Sequence, residues 1–140
     1  MSSKVRSALI KAVVDLNAAN WNYTIVGENS PEAPNHNEPW LGLNYIPDIP
    51  DVATLGDGGE DDIRGILQVD VFLPLGKGEK QALDVADSFR SYFTAGRRLS
   101  YSGQEVVIVG CGRSSGFVSD NFFRIPVSVI WYSRLIRAIN

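Results

Sequence analysis

The stretch IRGILQVDVFLPLGKGEKQALDVADSFRSYFTAG, residues 63–96, decides the fold. Its first half alternates with a period of two. Leu67, Val69, Val71 and Leu73 fall on one side, and Ile66, Gln68, Asp70 and Phe72 on the other, as in a strand with one face on a core. Pro74 ends the strand because it has no N–H to give a ladder. Gly76 and Gly78 supply a tight turn. From Glu79 the period becomes about 3.6. Ala82, Ala86, Phe89 and Phe93 then form one helical stripe, widened by Leu83 and Val85, and Gly96 stands where a helix C-cap belongs.

Upstream, Val5, Ala8, Leu9, Ala12, Val13 and Leu16 recur at helical spacing behind Ser2 or Ser3 as N-cap, which predicts a helix over 3–19. Its apolar face is expected on the domain's own sheet. Only Lys4, Arg6 and Lys11 decorate the polar side, too few for a helix lying on a membrane. A short β-rich run, WNYTIV, follows at 21–26, where Asn22-Tyr23-Thr24 matches a glycosylation acceptor without any sign of secretion. Residues 27–39 read as a protruding loop and residues 40–47 as a strand. Residues 47–62 form a second long loop ending in four carboxylates among glycines.

Downstream, RRLSY and EVVIVG read as two strands joined by a hairpin turn at Ser102-Gly103. GCGRSSG reads as another loop. A last strand runs from Phe122 to Trp131 or beyond. Pro126 lies in its middle, which predicts a sheet edge or a bulge, and an edge with apolar residues on both faces invites a neighbour. The tail SRLIRAIN is expected to order on docking.

These elements give the α/β (α+β) class: a mixed, mainly antiparallel sheet, two helices packed on it and long loops, in one domain over residues 1–140. The chain is long enough for a single core without staples. Its apolar (44%) and charged (21%) fractions are those of a soluble globular protein. A net charge of −3 argues against a dedicated duplex-DNA binder. Cys111, the lone cysteine, cannot make an internal disulfide and suits a reducing compartment. The first residues mix charge with apolar side chains, unlike a signal peptide or a membrane span, so a cytoplasmic protein is expected.

No arrangement carries convincing chemistry. Asp57, Glu60, Asp61 and Asp62 are oxygen-rich, but the EF-hand spacing and its flanking helices are absent, so no metal is assigned. Gly112-Arg113-Ser114-Ser115-Gly116 fits a nucleophile elbow. The strand-like sequence after it and His36 upstream of it speak against a hydrolase. The turn at 76–80 stands where phosphate loops stand but lacks their spacing. Backbone amides there are compatible with an anion, which keeps a small ligand-binding domain as an alternative. Cys111 has no histidine or second cysteine nearby and reads as structural. No catalytic residue and no cofactor is expected.

The order of features resembles the tail terminator, or tail completion, proteins of long-tailed bacteriophages. The similarity rests on the N-terminal helix, Trp40 in a proline-bounded strand and the acidic glycine loop. Its strongest part is Gly65 to Pro74 with Gly76 and Gly78, then Ala82, Ala86, Asp87 and Phe93, and it closes on Pro126-Val127-Ser128-Val129. The resemblance implies a structural, non-enzymatic virion protein assembled in the host cytoplasm. It implies a ring, usually a hexamer, at the head-proximal end of the tail tube, with tube protein on one face and the head–tail connector on the other. DNA would pass the lumen without specific binding, since phosphates and an acidic wall repel. On that basis some of Asp57, Glu60, Asp61 and Asp62 are expected near the tube or lumen. Arg97 and Arg98 become candidates for ion pairs between subunits, and Phe122, Ile130 and Tyr132 for the apolar contact. Exposed ion pairs each contribute only ~0–1 kcal/mol, so the apolar contact has to supply most of the affinity. Another neck or tube component is the nearest alternative.

Overall fold

The computed structural model describes residues 2–27, 38–49, 51–56, 58–76, 79–119 and 121–136. In chain order the elements are α1 (Ser2–Asn20), β1 (Thr24–Val26), β2 (Trp40–Pro47), β3 (Asp51–Val52), β4 (Glu60–Pro74), α2 (Glu79–Tyr92), β5 (Arg98–Tyr101), β6 (Gln104–Arg113), β7 (Phe117–Ser119) and β8 (Phe122–Ile136). The strands form one sheet of order β1-β2-β4-β8-β6-β5, with β3 added to β4 and β7 to β8. Only β1 and β2 run parallel. The α+β fold with two helices and a mixed, mostly antiparallel sheet is as the sequence predicts.

Both helices cover one face of the sheet. Val5, Ala8, Leu9, Ala12 and Val13 of α1 and Ala82, Val85, Ala86 and Phe89 of α2 share a core with Leu67, Val69, Val71 and Leu73 of β4. Leu41, Leu43, Ile63, Phe93, Val106, Ile108, Ile125, Val127, Val129 and Trp131 belong to the same core. Burying a side chain of the Leu or Phe type stabilises by about 1.5–3 kcal/mol, so this face carries the fold. α1 ends on a polar lock. The buried Asn17 donates its amide to the Tyr23 carbonyl (2.8 Å) and accepts from the Tyr23 N–H (2.9 Å), while Asn22 takes a left-handed φ of 54°. Trp21 then packs on Phe89, and β1 starts in register beside β2.

Four sequence expectations are corrected. First, β8 lies at the centre of the sheet, between β4 and β6, and not at an edge. Pro126 is tolerated there because its carbonyl accepts from Ser114, just past the end of β6. A strand residue points its nitrogen and oxygen to the same neighbour, so the missing donor falls where β6 has already stopped and the β4 ladder stays intact. Second, Glu60, Asp61 and Asp62 belong to β4 and not to a loop; Asp57 lies outside the described residues. Third, β6 continues through Gly112 and Arg113. The elbow-like sequence is therefore strand–turn–strand, without the helix a nucleophile elbow requires. Fourth, α2 stops at Tyr92. Gly96, at φ 89°, turns the chain into β5 and donates to the Ile108 carbonyl (2.7 Å). The Ser102-Gly103 hairpin turn is as expected, with φ of 50° and 84°. Most of the loop at 27–39, part of the turn at 76–80 and the last four residues of the tail lie outside the described residues.

Candidate assembly surface

Among the described residues, nothing covers the middle of the sheet face away from the helices, where Ile46, Ile66, Val109 and Ile130 are exposed. Its side chains follow from register. Ile46, Ile66 and Ile130 lie side by side on β2, β4 and β8, and Ile130 pairs with Gly110 on β6. A bulge in β6 between Ile108 and Gly110 leaves Val109 exposed next to this row. The result is an apolar groove lined by Ile46, Ile66, Val109 and Ile130, with Ile130 44% exposed. Along the same face stand Arg64 and Tyr132, directly opposite each other, at one side of the groove.

Beyond this row β4 and β8 continue as a two-stranded arm, Glu60 pairing with Ile136, and β3 adds to its side. Strand alternation puts Glu60 and Asp62 on the same side as Arg134. Arg134 reaches Asp62 (2.9 Å) and Glu60 (3.3 Å), and Tyr132 donates its hydroxyl to Asp62 (3.2 Å). The hydrogen bond from Arg134 holds the Asp62 carboxyl below the usual carboxylate range. Asp61 falls on the opposite side of the strand. Among the described residues no group of three or more His, Cys, Asp or Glu converges as metal ligands would.

The segment between β2 and β4 is apolar and outward-facing. Ile49, Val52 and Leu55 are 83%, 64% and 90% exposed. Its backbone is nonetheless fixed, because Ala53 and Thr54 both donate to the Glu60 carbonyl (3.0 Å each) and Asp48 donates to that of Arg64 (2.8 Å). At the other end of the β4–β8 pair, Leu75, Phe117 and Val118 are also exposed. Fifteen residues of extended strand separate these two poles by about 45 Å.

The sequence-predicted residues divide. Ile130, Tyr132, Asp62 and Glu60 gather at the groove and arm. Arg98 lines a recess with Tyr132 and Arg134, ion-paired to Glu105 within the chain. Arg97 stands apart, its guanidinium 4.5 Å over the Tyr92 ring. Phe122, expected to be exposed, is 5% exposed and sits edge-on to the stacked pair Trp40–Phe72 (3.8 Å between centroids) at the far end of the face. Beside it Arg124 pairs with Asp70 (2.8 Å) and lies between the rings of Phe72 and Phe117. Ile46, Ile66 and Val109 were missed as surface residues; alternation marked Ile66 as facing away from Leu67 but not as uncovered. Cys111 has a thiol pushed up to about 11 by burial, which leaves it protonated and unreactive near neutral pH.

A family profile described as phage tail terminator protein matches residues 4–131. The chain belongs to the phage tail terminator family. Curated proteins gave no match. One solved structure, 20% identical, superposes on this terminator with a TM-score of 0.76 over 96% of each chain, which shows a shared fold. The family makes the protein a structural component of a phage tail. No helix among the described residues is long and apolar enough to cross a membrane.

Proposed function

We propose that this protein is the ring subunit that caps the head-proximal end of the tail tube, stops tube polymerisation and offers the joining surface to the neck. The match to the terminator family over residues 4–131 carries the reading. The distribution of exposed apolar side chains supports it. A ring between tube and neck makes three kinds of contact: sideways to its neighbours, and one to a partner at each end. The outer sheet face and the two poles about 45 Å apart leave exposed apolar surface for such contacts on one small chain. The ring is a hexamer assembled in the host cytoplasm, its role structural and not catalytic. Some of Glu60, Asp61 and Asp62 lie near the tube or the lumen, and the net charge of −3 lets DNA pass without being held.

The test is polymerisation of the cognate tail tube protein with increasing amounts of this chain. Mean tube length falls as the ratio of this chain to tube protein rises. Tube lengths that do not respond at any ratio overturn the capping reading and favour a neck component.

A further inference from the structure

The outward-facing segment between β2 and β4 and the isoleucine groove are matched in kind, and neither covers the other within one chain. The segment presents Ile49, Val52 and Leu55 from a backbone pinned to β4. Among its described residues it carries two charges, Asp48 at its start and Asp51. The groove presents Ile46, Ile66 and Ile130 and carries one cation at its side, Arg64. Asp51 and Arg64 already meet at 3.4 Å in the free chain as an exposed pair, which contributes little there and is readily exchanged. The remaining charge at the groove, Asp48, is occupied in accepting from the Ile49 N–H (2.8 Å).

We propose that the Ile49–Val52–Leu55 segment of one copy docks in the Ile46–Ile66–Ile130 groove of the next, with Asp51 meeting the neighbour's Arg64. This rests on the ring reading above and names its lateral contact. The occupant is a second copy because the chain itself carries the complement in both apolar character and charge. Two different surfaces pairing head to tail make a heterologous contact, the kind that closes into a ring when the rotation allows. A segment whose backbone is already pinned to β4 loses little freedom on docking, which favours association.

Two variants of the full chain separate this from other arrangements. Ile49→Ser with Leu55→Ser disables the segment, and Ile130→Asp disables the groove. The segment side chains are almost wholly exposed, so that variant keeps the wild-type melting temperature and its result stands even where the groove variant misfolds. Mass is measured by light scattering for the chain alone and for the chain added to assembled tubes. The expected result is loss of rings for each variant alone, while the two variants mixed give one-to-one dimers and nothing larger. Rings formed by the segment variant at wild-type concentrations overturn the docking proposal and leave the ring reading standing. Wild-type chain that forms no oligomer alone or on tubes overturns the ring reading itself.

Discussion

Gly65 shows how a single position joins sequence to packing. It pairs with Pro47 on one side and Trp131 on the other, and the Trp131 ring, stacked on Tyr45, lies across it. An added methyl would stand 2.4 Å from the Ile46 carbonyl oxygen, 2.8 Å from the Trp131 ring and 2.9 Å from the Pro47 Cα. Two of these neighbours are backbone and cannot swing away. Gly65→Ala is therefore expected to lose about 1–3 kcal/mol in urea denaturation, as overpacked cores do. Gly110→Ala, with open space around it, serves as the control and should be near neutral. A Gly65→Ala midpoint equal to wild type would contradict this packing. The sequence marks Gly65 only as part of an apolar strand, because its partners are 18 and 66 residues away. Asn17 is hidden for the same reason: a polar residue beside a helical stripe carries no sign that it holds both backbone groups of Tyr23.

Elements were legible where a local period decided them. The alternation of β4, the stripes of both helices and the β5–β6 turn need no distant partner to be recognised. The place of β8 was not legible, since whether a proline lies in an inner strand depends on where β6 stops. The acidic run was misjudged because Asp and Glu are poor strand formers; here tertiary pairing with Arg134 and β8 overrides propensity. That pairing predicts a pH response. Asp62 has its folded pKa lowered, so its contribution is present above the ordinary carboxylate pKa of about 4 and is lost as pH falls through the folded value. Hydrogen-exchange protection of the arm at 60–62 and 134–136 should drop as pH falls below about 4, whereas Asp62→Asn should show low protection with little pH response from this site. Arm protection that is flat in the wild type would remove the pair from the arm's stability. Phe122, at the other end of β8, is a core residue by position. Phe122→Ala should cost about 3–5 kcal/mol in denaturation yet leave assembly intact wherever the chain is folded. Loss of assembly in a fully folded Phe122→Ala chain would restore it as a contact residue.

At the scale of the whole molecule, the described residues close one face of the sheet with helices and leave apolar side chains exposed on the other face and at both ends of its longest strand pair. Exposed apolar patches of this kind mark sites of protein–protein contact, as the proposed assembly role requires. The residues that resemble the terminator family are positions of packing and turning, which is why they were readable without any catalytic motif. The exposed groove was legible only in part, through Ile130 and Tyr132, because exposure of Ile66 or Val109 is a property of the finished sheet. The most direct measurement of the capping role is electron microscopy of tubes grown from the cognate tube protein with this chain present, with the chain labelled so that its position is seen. The account predicts a labelled ring at one end of each tube, and no further growth from that end when fresh tube protein is added. Label spread along the tubes, or continued growth from a labelled end, would contradict it.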